Sequence, residues 1–102
     1  FGNKELDSRL FGDWMSDQTD EITKQIFGDV TMTFTPTGEL TYRIKESDRV
    51  QIINMSFWTE GEYIISDQPS SPRKEKTRFI FEDEGLTLEF EGQRTRFLKS
   101  VG

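Results

Sequence analysis

From Asp29 to Lys45 the chain reads DVTMTFTPTGELTYRIK, and this stretch decides the fold class. Apolar side chains occupy every second position on either side of Pro36-Thr37-Gly38, and threonine or charged residues stand between them. A period of two is typical of a strand with one buried and one solvated face. The segment Pro36-Thr37-Gly38 predicts a tight turn, because proline presets φ and glycine adopts positive φ at little cost. The stretch therefore predicts an antiparallel hairpin.

The same alternation recurs further along the chain in short segments separated by turn residues. Val50–Trp58 differs because apolar residues occupy both parities, which predicts a strand covered on both faces or one that switches parity at a bulge. Asp67–Arg73 contains two prolines and two serines and predicts a surface loop. Three further alternating segments follow, so with Gly12–Ser16 as the first strand the count is about eight.

The first part of the chain is less regular. Residues 17–27 suit a short helix or an irregular excursion, with Asp17 or Thr19 as the cap. Asn3 to Leu10 suits a helical turn that plugs one end of the fold. We expect one domain over residues 1–102, an all-β antiparallel up-and-down meander of about eight short strands. Such a meander has exposed edges, and closure into a barrel removes them.

The composition excludes several classes of function. The chain has 13 Lys and Arg against 19 Asp and Glu, a net charge of −6, and neither cysteine nor histidine. Disulfides, Cys/His zinc sites and histidine acid–base chemistry are therefore excluded, and we expect no cofactor. An acidic chain lacks the cationic surface that nucleic-acid binding needs. No apolar run approaches the roughly 20 residues of a membrane span. The first residue is Phe1 rather than methionine, so we expect a processed or trimmed product, and the composition favours no compartment.

Two short motifs resemble those of a known family. The Gly12-Asp13-Trp14 segment resembles the Gly-x-Trp signature that opens the first strand of lipocalin-like (calycin) barrels. The hairpin from Phe34 to Leu40 is similar to the F-x-x-x-G-x-L hairpin of small bacterial lipocalin-like domains of unknown role. The resemblance implies a lipocalin-like barrel whose Trp14 packs at the closed end beside an arginine of the last strand. Arg94 or Arg96 is at the matching position, although the chain is much shorter than an ordinary lipocalin.

Aromatic residues are the main candidates for a ligand site. An eight-stranded barrel is either filled by its own side chains or holds one small ligand, and the sequence leaves both open. Asn54 and Ser56 share a parity with Ile52 and Trp58, so these polar groups would need partners or water if that parity faces inward. The candidate ligand-binding residues are Tyr42, Asn54, Ser56, Trp58 and Tyr63.

Other charged groups have simpler interpretations. Four acidic residues near the start of the chain could bind Ca²⁺ through their carboxylates: Asp13, Asp17, Asp20 and Glu21. They lack the Asp-x-Asp-x-Asp-Gly spacing of a calcium loop and are interpreted as a solvated acidic face, so we assign no metal ligands. No nucleophile elbow, phosphate-binding loop or metal signature is present, so we assign no catalytic residues.

Two functional hypotheses follow from these observations. The first is a non-catalytic module that binds a small apolar or amphipathic molecule inside a lipocalin-like barrel. The alternative is a protein-interaction domain in which a filled barrel is only a scaffold. Its contact surface would then be Asp67–Arg73 together with Val50–Trp58.

Overall fold

The strands expected from the alternating pattern form a closed barrel in the computed structural model, which describes residues 5–68 and 71–100. Within that part of the chain, eight strands follow one another with only one α-helix among them. The elements are β1 Gly12–Ser16, α1 Glu21–Phe27, β2 Asp29–Phe34, β3 Glu39–Lys45, β4 Val50–Glu60, β5 Tyr63–Gln68, β6 Ser71–Glu82, β7 Gly85–Phe90 and β8 Gln93–Lys99.

Each strand pairs antiparallel with its neighbour in sequence, and the first strand pairs with the last. In that closing pair Trp14 lies opposite Lys99 and Ser16 lies opposite Phe97. Closure leaves no open sheet edge among the paired strands, which is the physical reason that a meander of short strands is stable in this form. The predicted all-β meander and its closure into a barrel are confirmed.

Register decides which side chains face the interior. Residues directly opposite each other on antiparallel strands share a face. The buried Leu40 of β3 lies opposite Met55, and Phe57 of β4 lies opposite Ser66 of β5. The odd-numbered residues of β4 therefore face inward and the even-numbered ones face outward. The pairing of β4 shows no register shift on either side, so the bulge considered for Val50–Trp58 does not form.

Local turn chemistry explains the first hairpin. The backbone N–H of Gly38 donates to the Thr35 carbonyl at 3.1 Å, and the N–H of Thr35 donates to the Glu39 carbonyl at 3.0 Å. Gly38 has a φ of 90°, a conformation that glycine adopts with little strain. The turn predicted at Pro36-Thr37-Gly38 is confirmed.

The surface loop predicted for Asp67–Arg73 is wrong. Strand β5 continues to Gln68, β6 begins at Ser71, and these two residues pair with each other. Residues 69 and 70 lie outside the described residues. Pro72 is compatible with β6 because it lies near the start of the strand.

The N-terminal part closes one end of the barrel. Ser8–Leu10 forms a 3-10 turn whose Leu10 is fully buried in the core, so the predicted helical turn covers only the last three residues of Asn3 to Leu10. Glu5 instead forms an isolated bridge with Thr59, and residues 3 and 4 lie outside the described range. The residue at the start of α1 is Asp20, so the predicted caps Asp17 and Thr19 are both wrong. Among the described residues, no helix is long and apolar enough to cross a membrane.

Candidate functional site

The barrel interior contains a cavity of about 270 Å³. Its walls are inward-facing residues of six strands and the last turn of α1, and most of its surface is apolar. A volume of this size is near the lower end of the range seen for small-molecule sites. The lining residues are Ile26, Phe27, Met32, Phe34, Leu40, Tyr42, Ile64, Ser66, Glu75, Thr77, Leu88, Phe90, Gln93 and Thr95.

The cavity has a buried floor and an exposed mouth. Phe34 and Leu40, at the β2–β3 turn, are buried and form the floor nearest the plugged end. Ile26 on α1 is 44% exposed and Phe90 at the end of β7 is 39% exposed, although both line the cavity. Glu75 and Gln93 are exposed as well. The mouth therefore lies at the end of the barrel opposite the plug, with apolar side chains on its rim.

Short inward side chains create the space. Ser66 on β5, Thr77 on β6 and Thr95 on β8 all lie at inward positions of strands whose other inward positions include larger residues. Thr77 shares its parity with Phe79, and Thr95 shares its parity with Phe97, both of which are buried. The sequence shows these small residues at the parity of larger inward ones, but it does not show that they share one space.

A partly buried phenol and a carboxylate are the main polar groups of the cavity. Burial and, as the smaller cause, the negative charge of Glu75 together raise the pKa of Tyr42 to about 12. Tyr42 therefore stays protonated at neutral pH and can donate a hydrogen bond into the cavity. Ser66, paired in register with Glu75, adds a hydroxyl beside this carboxylate.

At the plugged end, Trp14 is held by a different cation from the one expected. Its indole N–H donates to the Leu10 carbonyl at 2.8 Å, and its ring centroid lies 6.0 Å from that of Phe81. The Lys99 ammonium lies 4.8 Å from the Trp14 ring centroid and donates to the Phe11 carbonyl. Trp14 is 4% exposed, and the cation over its ring is Lys99 instead of the expected Arg94 or Arg96.

The two arginines face outward because they have the opposite parity to Lys99 on β8. Arg94 donates to Glu89 at 2.9 Å. Arg96 donates to the backbone carbonyls of Glu82 and Asp83, at 3.3 Å and 2.9 Å, on the outside of the barrel.

Gly12 does belong to the plugged end. It has a φ of 114°, and a side chain at this position would meet the amino group of Lys99. The Gly12-Asp13-Trp14 motif thus combines backbone freedom with a buried ring and leaves room for the lysine that covers that ring.

Of the five predicted ligand residues, only Tyr42 lines the cavity. Asn54 and Ser56 lie on the outer face of β4, where the Asn54 amide oxygen accepts from the Thr41 hydroxyl at 3.0 Å. An inward orientation of these two residues is therefore excluded, because the register assigns the odd-numbered residues to the interior.

Trp58 and Tyr63 also lie on the outer face, each beside a lysine of β6. The Lys74 ammonium lies 5.5 Å from the Trp58 ring centroid, and the Lys76 ammonium lies 4.3 Å from that of Tyr63. Trp58 is only 6% exposed, and its indole N–H donates to Glu60 at 2.9 Å.

The acidic residues near α1 serve local hydrogen bonds. Asp13 accepts from the Thr33 hydroxyl at 2.6 Å, and Asp17 accepts from the hydroxyl and backbone N–H of Thr19. The bonds from Thr19 lower the pKa of Asp17. In the part of the chain that the structure describes, no three Asp or Glu side chains are grouped so that they could hold a metal ion.

Comparisons with family models, with curated proteins and with solved structures found no match.

Proposed function

We propose that this protein is a non-catalytic binding module that takes one small, largely apolar molecule into the barrel cavity. The observation that carries the proposal is the cavity of about 270 Å³, with a buried apolar floor and an open mouth. Protein interiors are normally packed with few voids larger than a water molecule. An apolar cavity with a few polar groups is the usual form of a small-molecule site.

The polar groups of the cavity suit an amphipathic ligand. The Tyr42 hydroxyl is protonated at neutral pH, and Ser66, Thr77 and Thr95 add hydroxyls to the walls. The ligand's apolar body would contact the floor at Phe34, and its polar end would lie toward the mouth. Displacement of water from the apolar walls would supply most of the binding free energy.

The resemblance to lipocalin-like barrels supports the same proposal. The Gly12-Asp13-Trp14 motif opens β1 at the plugged end, and a cation of the last strand contacts the Trp14 ring, although it is Lys99 and not an arginine. The closed barrel of eight antiparallel strands formed by the described residues is compatible with that family. Under this proposal the plugged end has a structural role and the opposite end binds ligand.

Calorimetric titration with octanol and benzyl alcohol, combined with amide NMR shifts, tests the proposal. Neither Trp14 nor Trp58 lines the cavity, so intrinsic tryptophan fluorescence is a poor reporter. We expect saturable binding at a single site, with shifts confined to the residues of the cavity wall. Shifts scattered over the outer surface, or no saturable binding of any probe, would contradict the proposal.

A matched pair of variants locates the binding site. Ser66→Phe places a benzyl group in the cavity, whereas Ser56→Phe places the same group on the outer face of the neighbouring strand. Ser66→Phe should weaken binding about tenfold or more, which corresponds to about 1.4 kcal/mol, and Ser56→Phe should leave it unchanged. Thr77→Leu is a milder second variant if Ser66→Phe does not fold. Equal effects of the inward and outward substitutions would refute the cavity as the site.

The alternative, a protein-interaction domain, has one observation in its favour. Val50 is 55% exposed and Ile52 is 58% exposed on the outer face of β4. Exposed apolar patches mark interfaces only when they reach a few hundred Å². Sedimentation of the wild type and of Ile52→Lys tests this alternative, which requires an associated species that the substitution abolishes.

A further inference from the structure

We propose that the ligand of this cavity is a cationic amphiphile, an organic amine whose head meets Glu75 at the mouth while its apolar body fills the barrel. The inference rests on the binding function proposed above and names its ligand class. One carboxylate lies at the mouth of the cavity, and the lysines beside it point away from the cavity.

Glu75 is the one charged residue among the described residues that line the cavity. It lies on β6 opposite Ser66, whose side chain shares a face with the buried Phe57. The Glu75 side chain is exposed to solvent, which places it at the mouth rather than at the floor. A ligand that enters the cavity must therefore pass this carboxylate.

No cation of the described chain neutralises Glu75. Its neighbours Lys74 and Lys76 have the opposite parity and lie over the outward rings of Trp58 and Tyr63. Among the side chains that the structure describes, which exclude those of residues 68–73, none of the ion pairs and side-chain hydrogen bonds involves the Glu75 carboxylate. The mouth therefore keeps a negative charge that a cationic head group can pair with.

The field of Glu75 reaches into the cavity. Its charge is the second cause, after burial, of the raised pKa of Tyr42. The same field disfavours a carboxylate head group, because like charges close together in a partly desolvated site repel each other. The net charge of −6 acts in the same direction over a longer range. The cavity thus selects amines over fatty acids of the same length.

Three probes with one tail and different heads test the inference: octylamine, octanol and octanoate. Exposed ion pairs are weak, so octylamine should bind about threefold to fivefold more tightly than octanol at low salt. Octanoate should bind more weakly than octanol. Raising the salt concentration should shrink the amine preference and leave octanol binding unchanged, since only the charged interaction is screened.

Charge variants assign the preference to one residue. Glu75→Gln should remove the amine preference without weakening octanol binding, and Glu75→Lys should make octanoate the tightest of the three probes. Glu39→Gln is the matched control, because it changes the net charge equally on an exposed outward residue of β3. The preference should survive in this control.

The outcomes separate the two proposals. If octanol binds and octylamine binds no more tightly, or if Glu75→Gln keeps the amine preference, the cationic ligand class is wrong and the binding function stands. If Glu39→Gln abolishes the preference as fully as Glu75→Gln, the overall charge and not the mouth carboxylate is responsible, and the inference is likewise overturned. If none of the three probes binds saturably, the proposed function itself fails.

Discussion

Replacing Trp14 by alanine should destabilise the barrel by about 4–5 kcal/mol. Truncation of a buried tryptophan costs about 3–5 kcal/mol, through lost apolar burial and the cavity left behind. Trp14 is 4% exposed, so nearly all of that cost applies. The change also removes the donor to the Leu10 carbonyl at 2.8 Å, and a buried acceptor without a partner adds about 1 kcal/mol or more. Small domains are stable by only about 5–15 kcal/mol, so the variant should be close to unfolding.

Denaturant unfolding followed by circular dichroism measures this loss. The dependence of the unfolding free energy on denaturant concentration should equal that of the wild type, which shows that both proteins unfold between the same two states. Trp14→Phe is the control, because it keeps a ring against Phe81 and beneath Lys99 but loses the bond to Leu10. We expect the phenylalanine variant to lose about 1–2 kcal/mol. A loss below about 1 kcal/mol for Trp14→Ala would refute the assignment of this residue to the structural plug.

Three further predictions concern single polar groups. In a Tyr63→Phe background, absorbance titration should give Tyr42 a pKa of about 12 instead of its ordinary value of 10. The contribution of the protonated phenol to the free energy of unfolding is complete below pH 10 and is lost as the pH rises towards 12. A measured pKa of 10 would contradict the burial of this side chain. Thr23→Val should lower the free energy of unfolding by about 1–3 kcal/mol, because the Arg96 backbone N–H that donates to the buried Thr23 hydroxyl at 2.6 Å loses its acceptor. An unchanged midpoint of denaturant unfolding would show that this hydrogen bond does not anchor α1 to β8. The pKa of Asp17 is lowered from 3.8, so its carboxylate stabilises the fold above that pH. Asp17→Asn should therefore lower the melting temperature at neutral pH, and this loss should become smaller as the pH falls. An equal loss at pH 3 would refute the prediction.

The strands and their order could be predicted because the signals that specify them are local. Alternation with period two and the turn at Pro36-Thr37-Gly38 require information from only a few neighbouring residues. Closure also followed from the sequence, since a meander of short one-sided strands leaves exposed edges that must be covered. The Trp14 plug could be predicted from its motif.

The orientation of β4 could not be predicted, because apolar residues occupy both of its parities. Either face would have buried a similar set of side chains, and only the pairing of Phe57 with Ser66 and of Leu40 with Met55 assigns the odd-numbered residues to the interior. For that reason Asn54 and Ser56 were misplaced as inward candidates. A one-residue choice of register exchanges every side chain between the two faces.

Local pattern and the need to cover strand edges are enough to specify the all-β meander, its turns and its closure. The contact between Lys99 and Trp14 is not specified locally, because it depends on the pairing of β1 with β8 from opposite ends of the chain. The cavity was decided in the same way. Ser66 and Glu75 meet through strand pairing, while Tyr42 faces them from another strand, and no local pattern specifies which short side chains share one space. Barrel interiors are set by long-range register, since each strand contributes only every second residue to a volume that all the strands enclose.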